Sequence, residues 1–303
     1  MVNCIIHHDV DTDGFMGLAV CSKWCTMHHE NEAQLLFGAH YAPGWKPDIP
    51  QNGPYRLLIV DYHLPVEELK EHLENPNCEE VHWYDHHASA IREAHLAGII
   101  DEFGQSCHYK LKCLVDSRDS GCLNAWKALF PACEVPLAVH LASVYDTWNR
   151  THADWADALD FNLGLRVRYG NLNELINLLE YDGFTLDIIE EGKIIQDYQD
   201  VVKIKQAWES SFTLEWRGLK FRAMNASGNS LYLQEITHEK DIAGFLLFSF
   251  MPGHGWKVSL FGNEQYEGDV DLSAIAVSYG GGGHKKACGF FVKALPFTLP
   301  VEE

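Results

Sequence analysis

The chain has 303 residues, near the upper limit for one hydrophobic core, and 47% of them are hydrophobic, enough for two packed domains. Its 23 Lys and Arg against 43 Asp and Glu give a formal net charge of −20, which argues against bulk attraction to nucleic acid or to an anionic membrane. A polyanion handled by such a chain needs a local positive field, and metal ions held by carboxylates would supply one.

The nine cysteines are scattered with no CxxC pair, which suits a reducing compartment better than a disulfide framework. No signal-peptide pattern precedes the first strand-like run, and no apolar stretch approaches the length of a membrane span. The expectation is a cytoplasmic protein that does not engage membranes.

In chain order, "VNCIIHH" (2–8) reads as a short apolar strand and "GFMGLAVCSKWCTMHH" (14–29) as a helix. "AQLLFGAHY" (33–41) and "YRLLIVDY" (55–62) read as strands, and "PVEELKEHLEN" (65–75) opens with proline as a helix start does. "EVHWYDHH" (80–87) is a strand followed by the helical "ASAIREAHLAG". This βαβα rhythm predicts a parallel sheet with helices on its faces. From 118 to 209 the pattern is mostly helical, with Asp119 or Ser120 placed to cap one helix and a long helix over 184–208 that could connect domains. Beyond it, "FTLEWRGLKFRAMNA" alternates around a hairpin turn, "GFLLFSFMP" and "WKVSLFG" are strands, a helix ends in "GGGG", and "CGFFVKAL" closes with a strand. The predicted fold is two α/β domains: a parallel-sheet domain over 1–150, a helical linker over 151–211 and a smaller domain over 212–303. The active site is expected in the cleft between them.

The strand ends concentrate acid and imidazole. The strand over 2–8 runs into His7, Asp9, Asp11 and Asp13; the strand over 55–62 ends in Asp61; the strand over 80–87 ends in Asp85, His86 and His87. Asp146 closes a predicted helix in "VYDTW". In an open parallel sheet, ligands bind beyond the carboxyl ends of the strands. Taken singly, each aspartate reads as a helix cap or a solvated loop residue. Taken together they would repel one another unless divalent cations intervene. Mixed Asp and His donors suit Mn²⁺, Zn²⁺ or Fe²⁺ better than calcium. There are too many donors for one ion, so two metals about 4 Å apart, bridged by one carboxylate, account for the set.

The "DHH" at 85–87, the HxxxDxD of His7, Asp11 and Asp13, and the Asp61 of "VDYH" resemble the DHH phosphoesterase superfamily. "GGGGHKKACGF" (280–290) resembles the signature of the glycine-rich DHH-associated domain. The resemblance is nearest in kind to nanoRNases and oligoribonucleases. It implies one metal held by His7, Asp11 and Asp61, and another held by Asp13, Asp61, His86 and Asp146, with Asp61 as the bridge. It implies that His87 faces the scissile phosphate and that Asp85 orients the histidine pair. Mn²⁺ is the first choice of ion, with Mg²⁺, Co²⁺ and Fe²⁺ as alternatives.

Four glycines after a helix can expose backbone N–H groups as an anion-binding concavity, with His284, Lys285 and Lys286 adding donors. Gly281, Gly282, Gly283, His284 and Lys285 are therefore the expected substrate-binding residues. The family often has an arginine where this chain has Phe261, which would remove a phosphate contact or let a base stack. The expected activity is two-metal hydrolysis of phosphoesters in short oligonucleotides or linear or cyclic dinucleotides. The acidity disfavours long duplexes, and a homodimer is compatible with the resemblance. The alternatives are a phosphatase of bisphosphorylated nucleosides or of inorganic polyphosphate or pyrophosphate, and a nucleotide-binding module with a degenerate site.

Overall fold

The computed structural model describes residues 1–40, 45–50, 52–168 and 170–300. The chain forms two compact units, Met1–Gln196 and Asp197–Glu303. The first contains β1 (Val2–His8), α1 (Thr12–His28), β2 (Ala33–Ala39), β3 (Tyr55–Val60), α2 (Val66–Glu74), β4 (Cys78–Asp85), α3 (Ala88–Leu96), β5 (Leu111–Val115), α4 (Gly121–Leu129), α5 (Leu137–Asp146), α6 (Trp155–Arg168) and α7 (Leu172–Leu178). Helix α8 (Asp182–Ser210) begins in the first unit and ends in the second. The second unit continues with β6 (Phe212–Trp216), β7 (Leu219–Asn225), α9 (Leu231–Ile236), β8 (Ile242–Met251), β9 (Gly255–Gly262), α10 (Leu272–Ser278), β10 (Gly282–His284) and β11 (Ala287–Val292). Among the described residues, no helix is long and apolar enough to cross a membrane.

The first sheet is wholly parallel, in the order β2-β1-β3-β4-β5. Its central strands are buried on both faces, which explains their near-continuous apolar runs. Side chains alternate between two cores. Ile5, Leu58, Val60 and Tyr84 join α1, α4 and α5 on one face, whereas Cys4, Ile6, Leu57, Ile59 and Trp83 meet α2 and α3 on the other. The chain leaves β1 toward β2 on one side and returns to β3 on the other, which opens a crevice beyond the ends of β1 and β3.

The second unit is a six-stranded sheet, β10-β11-β9-β8-β7-β6, antiparallel except for the β7–β8 pair. The expected hairpin turn is present: Arg217 and Gly218 both take positive φ, 54° and 75°, as a tight two-residue connection requires.

The expected linker over 151–211 is corrected. Phe161, Leu165, Leu175, Leu178, Ile188 and Ile189 are buried in the same core as α1 and α4. Thr12 Oγ1 also donates to Asn162 Oδ1 across 2.7 Å in the interior. The helical pattern was legible, but periodicity does not say which core an apolar stripe enters. Strand β5, helix α9 and strand β10 were not predicted, since runs of five, six and three residues are too short to show a period. Tyr41, the last residue of the predicted strand over 33–41, lies outside the described residues.

Phe161 has no exposed surface, so Phe161→Ala is expected to destabilise the first unit by about 3–5 kcal/mol, as measured by denaturant unfolding. A residue in a solvated linker would change stability by about 0.5 kcal/mol or less.

Candidate metal centre

Each acidic residue is delivered by the end of an element. Asp11 is the N-cap of α1, where its carboxylate accepts from Gly14 N–H at 3.0 Å. Gly14 is required by close approach, because a Cβ there would lie 1.8 Å from the His8 carbonyl oxygen. Asp13 sits in the first turn of α1 and accepts from the N–H groups of Gly121 and Cys122 at 2.7 and 2.8 Å. Those are N-terminal amides of α4, which point toward the carboxylate and favour its charge. Asp61 follows β3 in the left-handed region, with φ of 51°. Gly121 packs against it so closely that a Cβ would come within 2.7 Å of the Asp61 Cβ. Asp85 ends β4, His86 and His87 follow it, and Asp146 is the last residue of α5.

These side chains meet. His8 Nδ1 lies 2.9 Å from Asp11 Oδ2 and 3.4 Å from Asp61 Oδ2. His86 Nε2 lies 3.2 Å from Asp146 Oδ2, 3.4 Å from Asp61 Oδ1 and 3.9 Å from Asp13 Oδ2. Three groups have ligand spacing: His8, Asp11 and Asp61; Asp13, His86 and Asp146; and Asp61, His86 and His87. Asp61 belongs to two of them.

One expected ligand is replaced. His7 is not in these groups; His8 takes its place. Along β1, His7 shares the face of Ile5, which α1 covers, and its ring lies 6.4 Å from that of Phe15. Its Nδ1 is 3.0 Å from the His8 carbonyl oxygen. Strand alternation was the signal that could have separated the two histidines. Asp9 lies apart, 3.7 Å from His40.

Asp85 has the geometry expected of an orienting residue. Its Oδ1 accepts from the backbone N–H of His86 at 2.7 Å and of His87 at 3.3 Å, and is 2.7 Å from His87 Nδ1. Asn124, which the sequence reading missed, donates to the Asp85 carbonyl at 3.1 Å and ties the end of β4 to α4.

Electrostatics set these groups apart from ordinary surface acids. Burial and the Asp13 charge push Asp61 well above the usual carboxylate range, and burial with Asp13 does the same to Asp146. Burial opposes protonation of His8, yet Asp11 and Asp61 outweigh it and push His8 up to about 10. Burial likewise opposes ionisation of Asp85, but the hydrogen bond from His87 holds it below its ordinary value. Asp61 Oδ2 and Asp146 Oδ2 are buried and make no well-formed hydrogen bond, although His8 Nδ1 lies 3.4 Å from the first and His86 Nε2 3.2 Å from the second. Buried carboxylates gathered with imidazoles, with oxygens left short of full hydrogen bonding, fit divalent cations.

In the second unit the glycine run does several jobs. Gly280 closes α10 with φ of 78°, and the Gly281 N–H donates to the Ala276 carbonyl at 2.9 Å. A Cβ at Gly281 or Gly283 would collide with the β11 backbone, at 2.1 Å from the Gly289 oxygen and 2.6 Å from the Ala287 oxygen. Close strand packing therefore accounts for two glycines that ligand approach had been expected to explain. Gly282 alone of the expected three faces open space. His284 pairs with Ala287 in the β10–β11 hairpin, and Lys285 reaches Asp269 at 2.6 Å. Phe261 packs against the cluster of Met224, Leu233 and Phe245.

The fold resembles those of several solved structures, a DHH domain among them. Similar solved structures include a DHH domain from a member of the S1p family of ribosomal proteins (TM-score 0.55, 14% identity, 96% of this chain and 83% of that one). The pGpG-specific phosphodiesterase PggH from Vibrio cholerae is also similar (TM-score 0.51, 11% identity, 96% and 93%). So is RecJ from Thermus thermophilus in complex with Mn²⁺ (TM-score 0.50, 15% identity, 95% and 49%), and this chain spans about half of that one's length. No protein-family model matches the sequence, and no curated protein matches it.

An acid whose pKa is raised by folding contributes unfavourably, and its penalty grows as pH climbs from the unfolded carboxylate value toward the folded one. Asp61→Asn is therefore expected to stabilise the metal-free protein at neutral pH and to flatten this part of its stability–pH curve. Mn²⁺ at about 100 times its Kd is expected to stabilise the stripped wild type by about 2.7 kcal/mol, read as a rise in Tm. Asp61→Asn is expected to lose most of that rise.

Proposed function

We propose that the chain is a two-metal phosphoesterase that hydrolyses a short oligonucleotide or a linear or cyclic dinucleotide. The observation that carries this reading is the Asp61 carboxylate, shared between neighbouring ligand groups at the switch point of a parallel sheet. His8, Asp11 and Asp61 would hold one ion, and Asp13, Asp61, His86 and Asp146 the other. Mn²⁺ is the assigned ion, from the mixed carboxylate and imidazole donors. Bound ions would supply Lewis acidity to the phosphoryl oxygens and to the attacking water.

The chain's own residues do the rest. Asp13 is held in place by the α4 amides, so its orientation precedes ion binding. Asp85 accepts a 2.7 Å hydrogen bond from the Nδ1–H of His87, which fixes the ring. With Nδ1 so engaged, Nε2 is the nitrogen assigned to the leaving oxygen, where His87 acts as general acid. The glycine-rich hairpin is assigned to substrate phosphate, with Gly282 as the backbone approach. The likeness to a pGpG-specific phosphodiesterase favours a short substrate, as does the net charge of −20, which opposes long polyanions.

Purified protein with Mn²⁺ is expected to release mononucleotides from a linear dinucleotide. Release of inorganic phosphate alone from a bisphosphorylated nucleoside or pyrophosphate would move the assignment to a phosphatase, and binding without turnover would make the chain a binding module. Asp61→Ala is expected to abolish turnover. His87→Ala is expected to lower kcat by about 10²–10⁴. Asp85→Asn is expected to lower activity by about 10–100-fold through loss of ring orientation.

A further inference from the structure

Away from the Asp61 centre, the described residues contain another group of metal-ligating side chains: His140, His152 and Asp154. His140 lies on α5, and the other two lie in the segment between α5 and α6. His140 Nε2 is 2.8 Å from Asp154 Oδ2, and His152 Nδ1 is 3.6 Å from the same oxygen. The three ligand atoms lie within 4.8 Å of one another. Ligand atoms around a tetrahedral Zn²⁺ sit about 3.4 Å apart, given metal–ligand bonds of about 2.0–2.1 Å, so the two measured separations bracket the required one.

The framework around the three side chains also suits an ion. The Asp154 N–H donates to His152 Nδ1 at 3.1 Å, so this nitrogen is unprotonated, and an ion bound through it would displace that hydrogen bond. The backbone around it is tied down. His152 N–H donates to the Asn149 carbonyl at 3.0 Å, Trp155 N–H to the His152 carbonyl at 3.1 Å, and Ala158 N–H to the Asp154 carbonyl at 2.9 Å. Tyr145, Trp148 and Trp155 pack together beside the segment, with ring centroids 5.3–5.9 Å apart. The three ligand side chains are between a third and a half exposed, which leaves a coordination position for water.

We propose that His140, His152 and Asp154 form a separate binding site for a transition-metal ion of the Zn²⁺ type, which clamps the segment leaving Asp146. Two imidazoles with one carboxylate select such an ion over Mg²⁺ or Ca²⁺. The ion would join the helix that ends in Asp146 to the start of α6, and so fix the position of that carboxylate. The inference does not rest on the phosphoesterase reading.

The test uses tag-free full chain in an Asp61→Ala, His86→Ala background, stripped by chelator and titrated with Co²⁺ as a spectroscopic stand-in for Zn²⁺. One Co²⁺ per chain with a visible d–d band is expected. Adding His140→Ala is expected to weaken that binding at least about 100-fold and remove the band. Asp154→Asn, a near-isosteric change at a half-exposed position, is expected to weaken it too, with the circular dichroism spectrum retained. Absence of the band in the parent background overturns the proposal. So does a band, or a bound Co²⁺ count, that survives both substitutions, since the ion would then be adventitious.

Discussion

The structure of the first unit is organised around a repulsion. Asp11, Asp13, Asp61 and Asp146 bring their carboxylates to one small volume beyond the carboxyl ends of the central strands, and Asp13 and Asp61 are almost wholly buried. Two unit charges 4 Å apart at an effective dielectric of about 20 interact by about 4 kcal/mol. A whole domain is stable by only about 5–15 kcal/mol, so such a group cannot be left uncompensated. The compensation is local and specific. Two α4 amides face Asp13, His8 faces Asp11 and Asp61, and His86 faces Asp61 and Asp146. What remains is a pair of buried oxygens, on Asp61 and Asp146, that lie near these imidazoles without a well-formed hydrogen bond and that divalent ions would satisfy.

The surrounding fold makes this arrangement rigid. The 2-1-3-4-5 strand order sends the connections after β1 and β3 in opposite directions, so Asp11 and Asp13 at the start of α1 and Asp61 after β3 lie at the switch point between them. Helix α4 begins where Asp13 needs donors. Helix α6 supports the turn between β1 and α1 through the Thr12–Asn162 hydrogen bond. The helical stretch after 150 is thus part of the scaffold that positions the centre, and its buried Phe161 and Leu165 serve the same core as α1.

Much of this was legible in the sequence because parallel strands buried on both faces leave continuous apolar runs with abrupt polar ends. The ends of β1, β3 and β4 were read within two residues, and so were Asp11, Asp13, Asp61, His86 and Asp146 as a converging set. His8 was not, because adjacent histidines look alike until the strand's two faces are assigned to their helices. The amides that hold Asp13 were invisible for another reason: they belong to residues 121 and 122, over a hundred positions away, and backbone donors leave no mark in a residue pattern. The glycine run misled in part. A sequence shows that Cβ atoms are absent, but not whether a ligand or a neighbouring strand fills the space, and at Gly281 and Gly283 it is the strand.

The left-handed backbone at Asp61 restricts what evolution can place there. At φ of 51°, Asp and Asn are among the few side chains tolerated besides glycine, because their short polar groups bond locally. Glutamate carries the same charge but lacks that tolerance, and the site is crowded, since a Cβ added at Gly121 would lie 2.7 Å from the Asp61 Cβ. At this one position the two acidic amino acids are not synonyms. The shape of the turn, independently of any ion, favours aspartate over glutamate.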